Sequence, residues 1–179
     1  VKVGEMAEPR KHRAGTRGYR ATMRTICVLA QNCGTVNTTL CLQLAVLASE
    51  HGRAVTIIDI DPHSSATACK RRSNNETPDV LRHEASELPG LLAGLEQQRK
   101  DLVLLDTAPH SSHDAAAAAG LADLVLIVSR PAILDLEAIG ESVKIVKQQG
   151  CRSAIILNAC PPPHRGGETA IVREAREAL

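Results

Sequence analysis

The sequence contains no phenylalanine and no tryptophan, and Tyr19 is its single tyrosine. From residue 20 onward, the core must therefore be built from leucine, isoleucine, valine and alanine. This lack of aromatic side chains argues against single-strand binding modules, which stack nucleic-acid bases on aromatic rings. The 179 residues, 44% of them hydrophobic and 23% charged, suit one globular domain with one sizeable core.

Signals for a membrane or for export are also missing from the sequence. No apolar run reaches the roughly 18 residues that a membrane-spanning helix needs, and the longest early apolar stretch, Ile26 to Ala30, is far too short for a secretory signal. The six cysteines include no C-x-x-C pair. We therefore expect a cytoplasmic protein with reduced thiols and no membrane partner.

Charge is distributed unevenly along the chain. Residues 1–22 carry six basic and two acidic side chains, whereas the whole chain has a net charge of +1. Residues 1–22 lack apolar periodicity, so we expect a disordered leader or a non-native extension before Met23. The remainder, 23–179, is slightly acidic and is not a basic nucleic-acid binder by net charge.

After Met23, short apolar runs alternate with segments of helical periodicity. The apolar runs predict buried strands at Thr25–Ala30, Ala54–Ile60, Pro78–Arg82, Leu102–Leu105, Leu124–Val128 and Ala154–Leu157. Helical spacing predicts helices at Thr38–His51, near 64–72, and at Ser86–Lys100, Asp114–Leu121, Leu134–Gln149 and Glu168–Leu179. This alternation is typical of a three-layer α/β domain with a mostly parallel sheet flanked by helices. Such sheets bind ligands outside the carboxyl ends of their strands, so the loops that follow the strands are the candidate site.

The loop after the first strand occupies the position of a phosphate-binding loop and reads Asn32-Cys33-Gly34-Thr35-Val36-Asn37-Thr38-Thr39. Such a loop needs glycines whose backbone N–H groups wrap the phosphates, a lysine for the β- and γ-oxygens, and a hydroxyl for Mg²⁺. Thr38 can supply the hydroxyl and Gly34 one flexible point, but the lysine is missing. Alone, this stretch would not be identified as a phosphate-binding loop.

Carboxylates end two further strands. Asp59 and Asp61 are two residues apart, which places both on one side of the pleat and suits metal or water handling beside a phosphate. A strand-terminal aspartate that caps the next turn is the alternative interpretation. Asp106 follows the apolar run Leu102–Leu105, which is the Walker B pattern whose carboxylate organises Mg²⁺.

In this order and spacing, the three loops resemble the ParA/MinD family of P-loop ATPases with a deviant Walker A motif. Short ParA-type partition proteins of plasmids and chromosomes are the most similar branch. Further stretches that look like family blocks are Ala122–Ile127, Arg130–Leu136 and Leu157–Ala159. The resemblance covers Met23 to Leu179, and it implies a P-loop NTPase-like fold in a domain that is C-terminally short.

The resemblance also implies roles for individual residues. The family loop Lys-Gly-Gly-x-Gly-Lys-Thr-Thr falls on residues 32–39, so Gly34, Thr35, Val36, Asn37, Thr38 and Thr39 would contact the nucleotide. Asn32 and Asn37 take the places of the two catalytic lysines, of which the second binds phosphate in its own subunit and the first reaches the partner's ATP. Thr38, Asp61 and Asp106 are the implied Mg²⁺ ligands, and Asp61 also orients the attacking water. Asn158 matches the residue that reads adenine, with Pro161 beside it.

Two functions follow from this resemblance. The first is a ParA-like partition ATPase, which binds ATP and Mg²⁺, forms a sandwich homodimer, hydrolyses ATP and works with a centromere-binding partition protein. Non-specific DNA binding, which would place an active protein on the nucleoid, is expected to be weakened because the family's C-terminal surface is missing. The second is a catalytically inactive binding or regulatory module, or a gene remnant, because Asn32 and Asn37 carry no charge and Val36 is unsuited to a glycine conformation.

Overall fold

The computed structural model describes residues 22–31, 37–73, 76, 78–109, 112–163 and 167–179. These residues form six strands, β1 (Arg24–Leu29), β2 (Val55–Asp59), β3 (Asp79–Arg82), β4 (Leu102–Asp106), β5 (Leu124–Ser129) and β6 (Ser153–Leu157). They also form six α-helices, α1 (Asn37–Glu50), α2 (Ser65–Arg72), α3 (Leu88–Gln97), α4 (Ser112–Leu121), α5 (Ile133–Gln149) and α6 (Ala170–Glu177). None of the helices in these ranges combines the length and apolar character needed to cross a bilayer.

The strands form one sheet in the order β3-β2-β4-β1-β5-β6, and every pairing is parallel. Parallel neighbours need crossover connections, which the intervening helices provide. The predicted fold class is therefore confirmed, with a sheet that is wholly parallel in the described residues. Because β1 lies between β4 and β5, the loops that leave these three strands emerge side by side.

The core consists of two layers, one on each face of the sheet. Alternate strand residues point to opposite faces. One layer contains Cys27, Ile58, Leu105 and Ile127 with residues of α3, α4 and α5, and the other contains Val28, Ile57, Leu104 and Leu126 with residues of α1 and α2. The largest fully buried side chains are leucine, isoleucine, valine and threonine, as the absence of large aromatic residues requires. Burial on both faces explains why the strands are continuous apolar runs.

The start of α3 differs from its prediction. The helix expected from Ser86 is a 3₁₀ turn at Ala85–Glu87, followed by α3 from Leu88. The Glu84 and Glu87 side chains form a reciprocal capping box, in which Glu87 Oε2 accepts the Glu84 backbone N–H at 2.9 Å. Pro89 lies in the first turn of α3, where a missing N–H is tolerated. The cap therefore fixes the chain one turn before the α-helix begins.

Candidate functional site

The candidate site lies at the carboxyl ends of β1, β2 and β4. Asp59 and Asp106, the last residues of β2 and β4, are register partners, and Val28 of β1 lies opposite Asp106 on its other side. All three point to the face covered by α1 and α2, because they share that face with Ile57 and Leu104. The sheet therefore brings two carboxylates together beside the loop that follows β1.

Asp106 is fully buried, and among the described residues neither of its carboxylate oxygens has a hydrogen-bond partner. Burial raises the pKa of this carboxyl group from 3.8 to about 7, and repulsion from Asp59 and Asp61 adds to the effect. The Thr38 hydroxyl and the Cys41 thiol lie near enough to oppose that rise in pKa, but neither reaches hydrogen-bonding geometry. A buried carboxylate without partners is unfavourable, so this site suits a cation.

Asp59 is equally buried, and both of its carboxylate oxygens accept hydrogen bonds from nearby residues. Its Oδ2 accepts the Thr67 backbone N–H at 2.9 Å and the Thr67 hydroxyl at 2.8 Å, while Oδ1 accepts the Asp61 N–H at 3.2 Å. These bonds hold the first turn of α2 against the end of β2. The turn-capping interpretation therefore describes Asp59, and its oxygens have little capacity left for a metal ion.

Asp61 lies just beyond β2 and also accepts local hydrogen bonds. Its Oδ1 accepts the His63 backbone N–H at 2.8 Å and lies 2.9 Å from His63 Nδ1. The His63 side chain is 82% exposed. Asp61 also borders a cleft of about 690 Å³ that reaches His113 at the start of α4. Solvent can therefore approach Asp61 more readily than Asp106.

The start of α1 carries the next group of predicted residues. Asn37 is the first residue of the helix and is buried, Thr38 is half-buried and Thr39 is exposed. The influence of Thr38 on the pKa of Asp106 shows that its hydroxyl lies near that carboxylate. The predicted positions Asn32, Gly34, Thr35 and Val36 lie outside the described residues.

The predicted adenine-reading residues lie elsewhere on the same edge of the sheet. Asn158 follows β6, is half-buried, and donates its backbone N–H to the Ser129 carbonyl at 2.7 Å. Pro161 is exposed in the loop beyond. Since β1 and β5 both lie between β4 and β6, Asn158 lies to one side of Asp106, about three strand spacings away across the sheet.

The donor set fits Mg²⁺ bound mainly through water and phosphate. Mg²⁺ prefers hard oxygen ligands and usually retains several waters, needing one or two carboxylates from the protein. Asp106 supplies an unpartnered carboxylate, and Thr38 a hydroxyl near it. No group of three histidine, cysteine, aspartate or glutamate side chains is arranged for a metal in the described part of the chain. A magnesium ion here would therefore take most of its ligands from water and phosphate, and few from the protein.

Sequence reasoning missed two residues of this site. Thr67 was not singled out, although its position in the first turn of a helix that follows an aspartate-rich strand end is a signal for capping. Cys41 has no sequence signal beyond being one of six cysteines. It lies one helical turn after Thr38, and i, i+3 spacing places both side chains on one face of α1.

A family model of the CobQ/CobB/MinD/ParA nucleotide-binding domain matches residues 26–166. No curated protein matches the sequence. Among solved structures, an ATP complex of a McdA variant from Cyanothece is similar, with 17% identity and a TM-score of 0.71 over 88% of this chain and 78% of that one.

Two further structures have the same fold. MinD from Pyrococcus horikoshii, complexed with Mg-ADP, has 18% identity and a TM-score of 0.65 over 88% of this chain and 77% of that one. A plasmid partition protein from Borrelia burgdorferi has 18% identity and a TM-score of 0.64 over 86% and 87%. At these identities the structures show a shared fold, and the family model covers well over half of the sequence. The chain belongs to the CobQ/CobB/MinD/ParA nucleotide-binding domain family.

Proposed function

We propose that this chain is a partition-type member of its family that binds Mg²⁺ and ATP at the carboxyl ends of β1, β2 and β4. The observation that carries the proposal is Asp106, a fully buried carboxylate beside the first turn of α1, to which no residue in the described part of the chain donates a hydrogen bond. A bound cation would compensate this charge, and phosphate oxygens would complete the coordination of the cation. This arrangement therefore suits Mg²⁺ together with ATP, the ligands that the family resemblance implies.

The cellular role that we propose is DNA partition. Similarity to the plasmid partition protein supports it, and the family resemblance implies a homodimer that works with a centromere-binding partner. Direct DNA contact would be weak, because non-specific binding needs clustered basic side chains. The chain's basic triplet Lys70-Arg71-Arg72 ends α2, where basic residues also stabilise the helix dipole.

A second candidate function is nucleotide binding without appreciable hydrolysis. Asn32 and Asn37 favour it, because phosphoryl transfer depends on fixed positive charge around the transferred group. Each lost charge-assisted hydrogen bond removes about 1.5–3 kcal/mol. Because charge builds up on the phosphoryl group during transfer, we expect hydrolysis to suffer more than binding.

Both candidates are tested by measuring ATP turnover and nucleotide-dependent dimerisation of the full chain. The comparison is a variant with the family loop restored, Asn32→Lys, Cys33→Gly, Val36→Gly and Asn37→Lys together. We expect at least about tenfold tighter ATP binding and measurable turnover in the restored variant. Adding Asp106→Asn to it is the matched control, which should abolish the regained turnover.

The outcomes separate the two candidates. Robust hydrolysis by the unmodified chain would exclude the inactive module. Nucleotide binding without turnover in the unmodified chain, with turnover in the restored variant, would support it. Failure of both proteins to bind ATP would overturn the proposed nucleotide site.

A further inference from the structure

The chain is tied to α5 at the point where it leaves β1. Gln31, two residues beyond the end of β1, donates a hydrogen bond from its amide Nε2 to the Ser142 hydroxyl at 3.2 Å. Ser142 lies in the middle of α5 and is fully buried, whereas Gln31 is half-buried. In the described part of the chain, Gln31 is the side chain that satisfies this hydroxyl. Loss of the contact would leave a buried polar group without a partner, which is unfavourable.

The strand register explains how Gln31 reaches this helix. Leu29, the last residue of β1, pairs with Ile127 of β5, and both side chains belong to the core layer that contains residues of α5. Side chains alternate between the faces of an extended chain, so Gln31, two residues after Leu29, falls on the same side. Because α5 packs against β5, it also lies close to the end of β1.

The first turn of α5 is itself fixed to the end of β5. Arg130, directly after β5, donates from Nε to Asp135 Oδ2 at 2.5 Å and from Nη2 to Oδ1 at 3.2 Å. Asp135 is almost completely buried, and such a two-point contact restrains orientation as well as distance. Asp135 and Ser142 are seven residues apart, which is about two helical turns along one face. The helix is therefore a firm support for Gln31.

Gln31, Asp135 and Ser142 also border one small space, together with apolar side chains of β5 and α5. This space has no room for a water molecule. Solvent in that space therefore cannot replace Gln31 as the partner of Ser142. The space also cannot hold a ligand, so the role of this polar cluster is to position the chain.

We propose that Gln31 is a positioning residue, which through Ser142 fixes where the phosphate-binding loop, residues 32–39, leaves β1. The inference rests on the proposed function and deepens it by naming what holds the loop before the nucleotide arrives. Asn32 and Asn37 give this loop no fixed positive charge. Phosphate binding therefore depends more on backbone N–H groups that are already in place.

A double-mutant cycle tests the link. Gln31→Leu, Ser142→Ala and the double variant are compared with the wild-type full chain by titration with a fluorescent ATP analogue in Mg²⁺. The absence of tryptophan keeps the background fluorescence low. Each single substitution should weaken binding by about three- to tenfold, the range that one neutral hydrogen bond supplies. The double variant should bind no more weakly than either single variant, because both changes remove the same bond.

Rate constants separate positioning from direct contact with the nucleotide. Losing the bond lowers the fraction of molecules whose loop is ready for the ligand, and with it the association rate constant. We expect stopped-flow measurements to show association slowed by the same factor as the loss in affinity, with dissociation unchanged. Val143→Ala is the matched control, since it removes apolar packing at the neighbouring position of α5. It should lower the free energy of unfolding and leave both rate constants unchanged.

The same cycle is repeated in the chain with the family loop restored, where we expect tighter ATP binding. Circular dichroism checks folding, and Gln31→Leu, at a half-buried position, keeps the test valid if Ser142→Ala does not fold. Three results would each overturn this inference and leave the ATP site standing: unchanged affinity in the single variants, effects that multiply in the double variant, or faster dissociation in place of slower association. Absence of ATP binding in both backgrounds would overturn the proposed function, and this inference with it.

Discussion

Replacing Asp106 with asparagine should make the ligand-free protein more stable at neutral and alkaline pH. The pKa of this carboxyl group is raised from 3.8 to about 7, chiefly because the side chain is buried. The unfolded chain therefore loses this proton near pH 3.8, whereas the folded chain keeps it until about pH 7. Between those values the folded state binds more protons, so the free energy of unfolding falls as pH rises.

The size of the effect follows from the shift in pKa. The shift is about three units, and each unit corresponds to about 1.4 kcal/mol. Ionised Asp106 should thus lower the free energy of unfolding by up to about 4 kcal/mol above pH 7, and by little below pH 4. Asp106→Asn removes the charge and keeps the shape. The variant should gain most of that difference at about pH 8 and almost nothing at about pH 4.

Asp59 offers a matched control, since it is equally buried and is the register partner of Asp106. Its carboxylate accepts three hydrogen bonds, from Asp61 and from the backbone and hydroxyl of Thr67. An asparagine amide group has one acceptor oxygen, so at least one of these donors would lose its partner. Asp59→Asn should therefore lower the free energy of unfolding by about 1–3 kcal/mol at neutral pH.

Urea unfolding followed by circular dichroism, repeated between about pH 4 and 8, measures both variants. The curves for wild type and Asp106→Asn should diverge as pH rises, and added Mg²⁺ should narrow the gap because a cation stabilises the ionised form. Parallel pH profiles for these two proteins would refute the reasoning. So would a stabilising effect of Asp59→Asn, because the two carboxylates would then not differ as described.

Three further substitutions test the supports of the site and of the fold by the same unfolding assay. Thr67→Val removes the hydroxyl that donates to Asp59 at 2.8 Å, and should lower the free energy of unfolding by about 1–2 kcal/mol. Gly150→Ala should destabilise by about 1 kcal/mol, because Gly150 ends α5 with a φ of 63°. Gly140→Ala, within α5 and with open space around its α-carbon, should instead stabilise by up to about 1 kcal/mol. An equal effect of the two alanines would contradict this account of α5.

The order and type of the elements could be predicted because burial on both faces leaves a strong signal. Runs such as Leu102–Leu105 and Leu124–Val128 are too apolar for any exposed position, and helical spacing separates them. Strand order was not contained in that signal. The placement of β4 beside β1 brings Asp106 next to α1. This placement depends on how the crossover helices pack, which short-range sequence patterns do not specify.

The roles of the three aspartates show where prediction from sequence stops. Asp59 and Asp106 end buried strands and Asp61 follows one, so the strand pattern alone does not distinguish them. The difference arises from the donors near each carboxylate: Thr67 reaches Asp59, His63 reaches Asp61, and nothing in the described residues reaches Asp106. The unpartnered carboxylate is therefore a property of tertiary structure. The sequence does predict that Thr38 and Cys41, three residues apart, share one face of α1. It does not predict that this face lies beside Asp106.

The three carboxylates also predict an unusual dependence of nucleotide binding on divalent cations. Within the described residues, no lysine or arginine forms an ion pair with Asp59, Asp61 or Asp106. The two lysines of the family loop are replaced by Asn32 and Asn37. A triphosphate approaching this edge would meet negative charge without the two lysines that compensate it in the family loop. The metal ion would therefore have to supply the positive charge.

ATP binding by the wild-type chain should therefore disappear when divalent cations are chelated, whereas Asn37→Lys should retain part of it. Restoring one charge-assisted hydrogen bond corresponds to about 1.5–3 kcal/mol, or roughly tenfold to a hundredfold in affinity. Gln97→Lys is the matched control, because it adds the same charge at the opposite edge of the sheet, at the exposed end of α3. Equal rescue by both lysines would show that net charge alone matters. ATP binding by the wild-type chain in chelator would show that some other group compensates the carboxylates, and the role assigned to the metal would then be wrong.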